Sequence, residues 1–115
     1  MSSIRNATLK RAALQRELRQ LSRRMIFGTL SETMRTCGQP TCRCHHGGPK
    51  HGPHLQISYR GDSGKTTGAH VPAAIAERVR HGVAAWQRFQ TLARELADLN
   101  REATWAVHQR TAGRR

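Results

Sequence analysis

Acidic residues are scarce in this chain. Seven Asp and Glu stand against twenty Lys and Arg, giving a net charge of +13 over 115 residues and a pI near 11.6. A surface so short of carboxylates cannot neutralise itself, which points to a polyanionic partner and to nucleic acid first. Seventeen of the twenty cations are Arg. Guanidinium grips phosphate through two parallel hydrogen bonds, whereas Lys acts as a point charge. Aromatic residues are also few, with two Trp, two Phe and one Tyr, so rings add little to a core. Long apolar runs are missing, which excludes a bilayer-spanning helix of ~20 apolar residues. The start of the sequence leads straight into charged residues rather than an apolar leader. The expectation is a cytoplasmic, nucleoid-associated protein with no membrane partner. The length suits one domain with a modest core.

Cysteine is sparse and odd in number, which argues against a disulfide framework. All three cysteines fall between Cys37 and His54, in CGQPTCRCHHGGPKHGPH, with four of the seven histidines and three of the four prolines. Thiolate and imidazole are the ligands that zinc prefers, and a structural site closes a tetrahedron with four of them. Cys37, Cys42 and Cys44 supply three, in a C-x4-C-x-C arrangement. Gln39-Pro40 is turn chemistry, and Gly38 allows positive φ if the chain must curl its amides toward sulfur. Four histidines compete for the fourth place. His45 and His46 follow Cys44 so closely that they rank lowest, since adjacent residues rarely turn both side chains onto one ion. His51 lies beyond the flexible Gly47-Gly48-Pro49 and is best placed, with His54 behind it. The expected cofactor is Zn2+, since nothing in the pattern suggests redox work.

On either side of this knuckle the sequence reads as helix. Residues 1–26 are rich in Leu, Arg, Gln and Ala, lack Pro and Gly, and offer Ser2 or Ser3 as a cap. Ile4, Ala7, Arg11, Leu14, Leu18, Leu21 and Met25 recur at steps of three and four, the spacing of a coiled-coil seam. Gly28 is read as the stop. Residues 27–72 hold the knuckle and strands. Thr29 to Thr36 is an extended lead with Leu30 and Met34 inward. His54 to Arg60 alternates as a half-buried strand, and Lys65 to Val71 returns beside it after Gly61-Asp62-Ser63-Gly64. GDSGKT imitates the tail of a phosphate-binding loop, but Tyr59 stands where that motif needs Gly, and Gly68 and Pro72 forbid the helix that must follow. Residues 73–110 form a long helix with a seam through Ile75, Val79, Gly82, Trp86, Phe89, Ala93, Leu96, Asn100, Ala103 and Val107. Residues 111–115 are expected to be a disordered basic tail. The fold class is therefore α+β: an N-terminal helix, a Cys3His knuckle with a zinc-ribbon-like hairpin, and a long C-terminal helix, the two helices pairing as a coiled coil.

A helix followed by Gly28-Thr29-Leu30, then Cys37-Gly38, Pro40, Cys42 and Cys44, then His51-Gly52-Pro53, Gly64-Lys65-Thr66 and Val71-Pro72, resembles a family of small bacterial proteins of unknown function associated with transposons and other mobile elements. The resemblance covers about residues 27–100. It implies a genetic context rather than a reaction, and it adds weight to His51, because His-Gly-Pro ends the knuckle in that family.

Residues 1–65 carry twelve cations against three acids, so the polyanion contact is expected in that part of the chain. The candidate contacts are Arg5, Lys10, Arg11, Arg16, Arg19, Arg23 and Arg24 in the first helix, and Arg35, Arg43, Lys50, Arg60 and Lys65 around the knuckle. Three thiolates and one imidazole fill the coordination of zinc and leave no open position for water, which argues for a non-enzymatic protein without a small-molecule substrate. The expected function is a zinc-stabilised accessory that binds duplex DNA beside a transposase or recombinase. The alternatives are an interaction subunit that docks such a partner or a second copy through its helices, and an RNA-binding module.

Overall fold

Leu14, Leu18, Leu21 and Met25 can bury one stripe of a helix only if an apolar stripe of another element covers them. In the computed structural model, which describes the backbone of residues 2–113 and the side chains of 5–113, that cover comes from the far end of the chain. The element order is α1 (Ser2–Ser22), β1 (Thr29–Arg35), β2 (His51–Arg60), β3 (Thr66–His70) and α2 (Ala76–Gly113), with short 3-10 turns at Arg43–His45 and Ala73–Ile75. The class is α+β, as the periodicities predict. Contacts divide the chain into a helical unit, up to Met25 and from Ala84 onward, and a sheet unit, Ile26–Val83.

In the helical unit, Leu14 and Leu21 of α1 and Ala85 and Leu92 of α2 form a buried core, flanked by Leu18, Met25, Phe89, Leu96 and Leu99. Glu17 meets Arg88, and Arg11 donates to Asn100, so rising numbers in α1 match falling numbers in α2 and the helices run antiparallel. The two polar residues of the predicted seams, Arg11 and Asn100, thus face each other and satisfy one another. Leu92, which with Val83 and Leu99 widens the predicted seam, is the most enclosed side chain of the stripe at 1 % exposed. The seam also fades beyond Leu99: residues 100–113 are all exposed, Val107 among them.

The first helix ends at Ser22 rather than near Ile26. Met25 still bonds back to the Leu21 carbonyl, but the Ile26 amide turns to the carbonyl of Gly82 at 2.8 Å. Ile26 is needed in the sheet unit, where it packs with Leu30, Ile57 and Ala76 around buried Leu55, Val71, Val79 and Val83. Gly28 therefore leads into β1 instead of stopping the helix. Its φ is +155°, and a Cβ there would meet Ile57 at 2.6 Å. The expected caps Ser2 and Ser3 have side chains outside the described residues.

The sheet is antiparallel with order β1-β2-β3. The extended lead is a full strand: Leu30 pairs with Ile57, Glu32 with Leu55, Thr33 with His54 and Arg35 with His51. Between the last two pairs β1 advances two residues and β2 three, so Gly52-Pro53 forms a bulge in a strand rather than the end of a loop. Proline has no amide for a ladder, and here β2 has only one neighbour because β3 begins pairing at Gln56. Met34 lies over the bulge and is half exposed, not inward. The hairpin pairs 56–60 with 66–70 around a turn in which Gly64 has φ +81°. GDSGKT is thus a turn and strand. At the other end of the chain, α2 continues through Thr111–Gly113, where a tail was expected, while Arg114 and Arg115 lie outside the described residues. Among the described residues, no helix is long and apolar enough to cross a membrane.

Candidate metal centre and basic surface

The loop between β1 and β2, residues 36–50, carries the cysteines. Pairing of Arg35 with His51 fixes its two ends side by side, which places Cys37, two residues past β1, close to the first residue of β2. The Gln39-Pro40 turn closes when the Cys42 amide bonds to the Gln39 carbonyl at 3.1 Å. The 3-10 turn Arg43–His45 then aims Cys44 inward. The Gly48 amide returns to the Arg43 carbonyl at 2.8 Å, and a Cβ on Gly48 would lie 2.6 Å from that oxygen, so only glycine fits.

One ligand atom from each of Cys37, Cys42, Cys44 and His51 lies within 4.8 Å of every other. The Cys37 and Cys44 sulfurs are 3.6 Å apart, and Cys42 Sγ is 3.2 Å from His51 Nε2. A tetrahedral ion with metal–sulfur bonds of about 2.3 Å needs sulfur–sulfur edges of about 3.8 Å. The four atoms therefore fit a closed tetrahedral ion with small adjustments. The Cys37 amide also donates to Cys44 Sγ at 3.3 Å, a bond that favours thiolate. The Cys42 thiol is lowered to about 6, first by the backbone amide of Cys44 and next by the His51 ring. Burial pushes the Cys44 thiol up. Cys42 is thus the readiest anionic ligand, and Cys44, 7 % exposed, the most enclosed.

The other histidines of the knuckle have different tasks. His45 Nε2 donates to the Cys37 carbonyl at 2.6 Å and His46 Nε2 to the Pro40 carbonyl at 3.1 Å, which ties the loop across itself. His54 packs edge-on to His70, ring centroids 6.2 Å apart. None of the three joins the cluster. The sequence does not foretell the tethering role of His45 and His46; adjacency to Cys44 ranks them low as ligands without saying what else they would do.

The twelve cations singled out above share one property. None forms an ion pair with a described carboxylate, and eleven are exposed. The exception in exposure is Arg11, which lies on the seam and bonds to Asn100. On α1, Arg16 and Arg19 lie opposite Leu14 with Arg5 on the same stripe, and Arg23 follows them in the turn after the helix. The only acid of α1, Glu17, is taken by Arg88 at 3.1 Å.

Fold and site together define a small α+β protein whose antiparallel sheet ends in a Cys3His cluster with metal-ligand geometry. The chain belongs to the family described as a domain of unknown function, DUF6788, which matches residues 7–81, well over half of its length. Comparison with curated proteins and with solved structures gives no match.

Proposed function

We propose that this protein is a non-enzymatic, zinc-stabilised DNA-binding accessory of a bacterial mobile element, a helper to a transposase or recombinase. The single observation that carries the DNA contact is the set of exposed guanidinium and ammonium groups on α1 and around the knuckle that have no carboxylate partner among the described residues. Such groups repel one another on a free helix and gain most from a row of phosphates. Most of their contacts would position the duplex rather than read its sequence. The mobile-element context rests on the resemblance of the knuckle motif alone.

Zinc is the metal that best suits three thiolates and an imidazole at this spacing. Cys37, Cys42, Cys44 and His51 would hold it, and it would lock the loop to the sheet rather than take part in a reaction. The two helices would pair in the manner of a short coiled coil, with Arg11 and Asn100 setting the register.

The test is metal analysis of the purified protein with a titration against duplex DNA. One equivalent of zinc is expected, together with a loss of about 10³ to 10⁵ in affinity between 50 and 200 mM salt if 6 to 10 phosphates are contacted. A shallow salt slope would overturn the DNA reading, and equal affinity for RNA would redirect it. A second reading, an interaction subunit, is favoured by an open groove of about 700 Å³ between the helices, lined by Ala7, Leu99, Ala103 and Val107 among others. Light scattering, and pull-down with a transposase or recombinase encoded beside it, separate the two.

A further inference from the structure

Strand β3 buries nothing. Every residue from Ser58 to His70 is exposed, on both faces of the hairpin. Because β1 begins opposite Ser58, the sheet beyond that point is a ribbon of two strands, with Tyr59 across from Thr67 and Arg60 across from Thr66. A ribbon that rests on no core gains little stability by itself.

Its glycine is equally out of place. Gly68 sits in the middle of β3, where glycine weakens a strand, yet its φ is not positive and a Cβ there would meet no atom within 4 Å. Neither a turn nor crowding within the chain accounts for it. An unfilled glycine in an exposed strand leaves room for close approach by something outside the chain. The surroundings say of what charge: Arg60 and Lys65 carry no ion pair among the described residues, and the ribbon holds one acid, Asp62 at its tip. The remaining side chains are mostly hydroxyls and small groups.

Resting on the DNA reading above, we propose that the β2–β3 ribbon enters the major groove of B-form DNA, with Arg60 facing base edges, Lys65 at the phosphates and Gly68 allowing the backbone to seat closely. Two strands about 4.8 Å apart with short side chains match a groove about 12 Å wide. The major groove of A-form RNA is too deep and narrow to admit them. The partner this selects is duplex DNA rather than RNA.

The test uses the full-length, metal-loaded protein with a mixed-sequence DNA duplex and an RNA duplex of matching sequence. Gly68→Val is expected to keep or raise the thermal midpoint, since a β-branched residue suits a strand, while weakening DNA binding on the order of tenfold or more. Arg60→Ala with Lys65→Ala is expected to weaken DNA binding and to lower the salt slope by about 1, the share of Lys65 at phosphate. Dimethyl sulfate protection of guanine N7 should appear with the unaltered protein and vanish with Gly68→Val. Unchanged DNA affinity in both variants, or RNA duplex bound as tightly as DNA, overturns the ribbon. If both variants bind as tightly as the unaltered protein and the salt slope stays steep, the ribbon fails while the wider DNA reading stands; if the unaltered protein shows no salt-dependent binding, both fail.

Discussion

In α2, Arg80, Arg88, Arg94 and Arg101 each reach a carboxylate: Glu32, Glu17, Asp98 and Asp98 in turn. In α1, Arg5, Lys10, Arg16 and Arg19 reach none among the described residues, nor do Arg23 and Arg24 in the turn that follows. The residue type is the same and so is the helical setting. The difference lies in where the acids were placed. Exposed pairs of this kind contribute about 0 to 1 kcal/mol each, so their value is not mainly stability. Pairing reduces the local field of α2, where Arg78 and Arg110 alone among the described cations reach no carboxylate, and leaves that of α1 intact, which gives a polyanion a preferred side of approach.

The contrast breaks most directly by exchanging sides. Replacing Arg5, Arg16, Arg19 and Arg23 with Gln should lower the salt slope of DNA binding by about 3.6 and the affinity on the order of 10³-fold near 0.1 M salt. The matched quartet Arg80, Arg88, Arg94 and Arg101 to Gln should change either quantity far less. Anisotropy titrations at several salt concentrations give both numbers, and equal losses from the two quartets would abolish the distinction. Next in size is Leu92→Ala, which removes the most enclosed side chain of the scaffold that presents the α1 stripe. It should destabilise the helical unit by about 2 to 5 kcal/mol in a denaturant titration. Metal content should stay unchanged, since Leu92 belongs to the other core. Smallest is Glu17→Gln, which deletes the one acid of α1 and frees Arg88. A few-fold tightening on DNA is expected, with about 0 to 1 kcal/mol lost from stability; weaker binding would mean that the α1 field does not guide the contact.

How far the sequence foretold this arrangement depended on the range of each interaction. The α1 seam follows a local period, and Ala7, Arg11, Leu14, Leu18, Leu21 and Met25 all turn away from solvent as that period requires. The three cysteines of the cluster were legible from ligand spacing, whereas His51 stood only first among four histidines, with weight added by the family resemblance. The pairing of β1 with β2 was not, because its partners stand up to 29 residues apart, as between Thr29 and Ser58, and no local pattern reports them. Gly52-Pro53 misled for a related reason: proline reads as a strand breaker until one sees that this part of β2 lacks a second neighbour. The early end of α1 was likewise decided at a distance, by the place that Ile26 fills beneath the sheet.

The knuckle bridges two strands that are already neighbours, joined at Arg35 and His51. An ion held by Cys37 and His51 would therefore strengthen the same closure that the ladder makes, and the ladder would in turn lower the entropic cost of gathering the ligands. Metal affinity then becomes a gauge of sheet integrity. Damage as remote as Leu55 would register as easier loss of the ion to a chelator, and a cell short of that metal would hold fewer copies with an assembled ribbon.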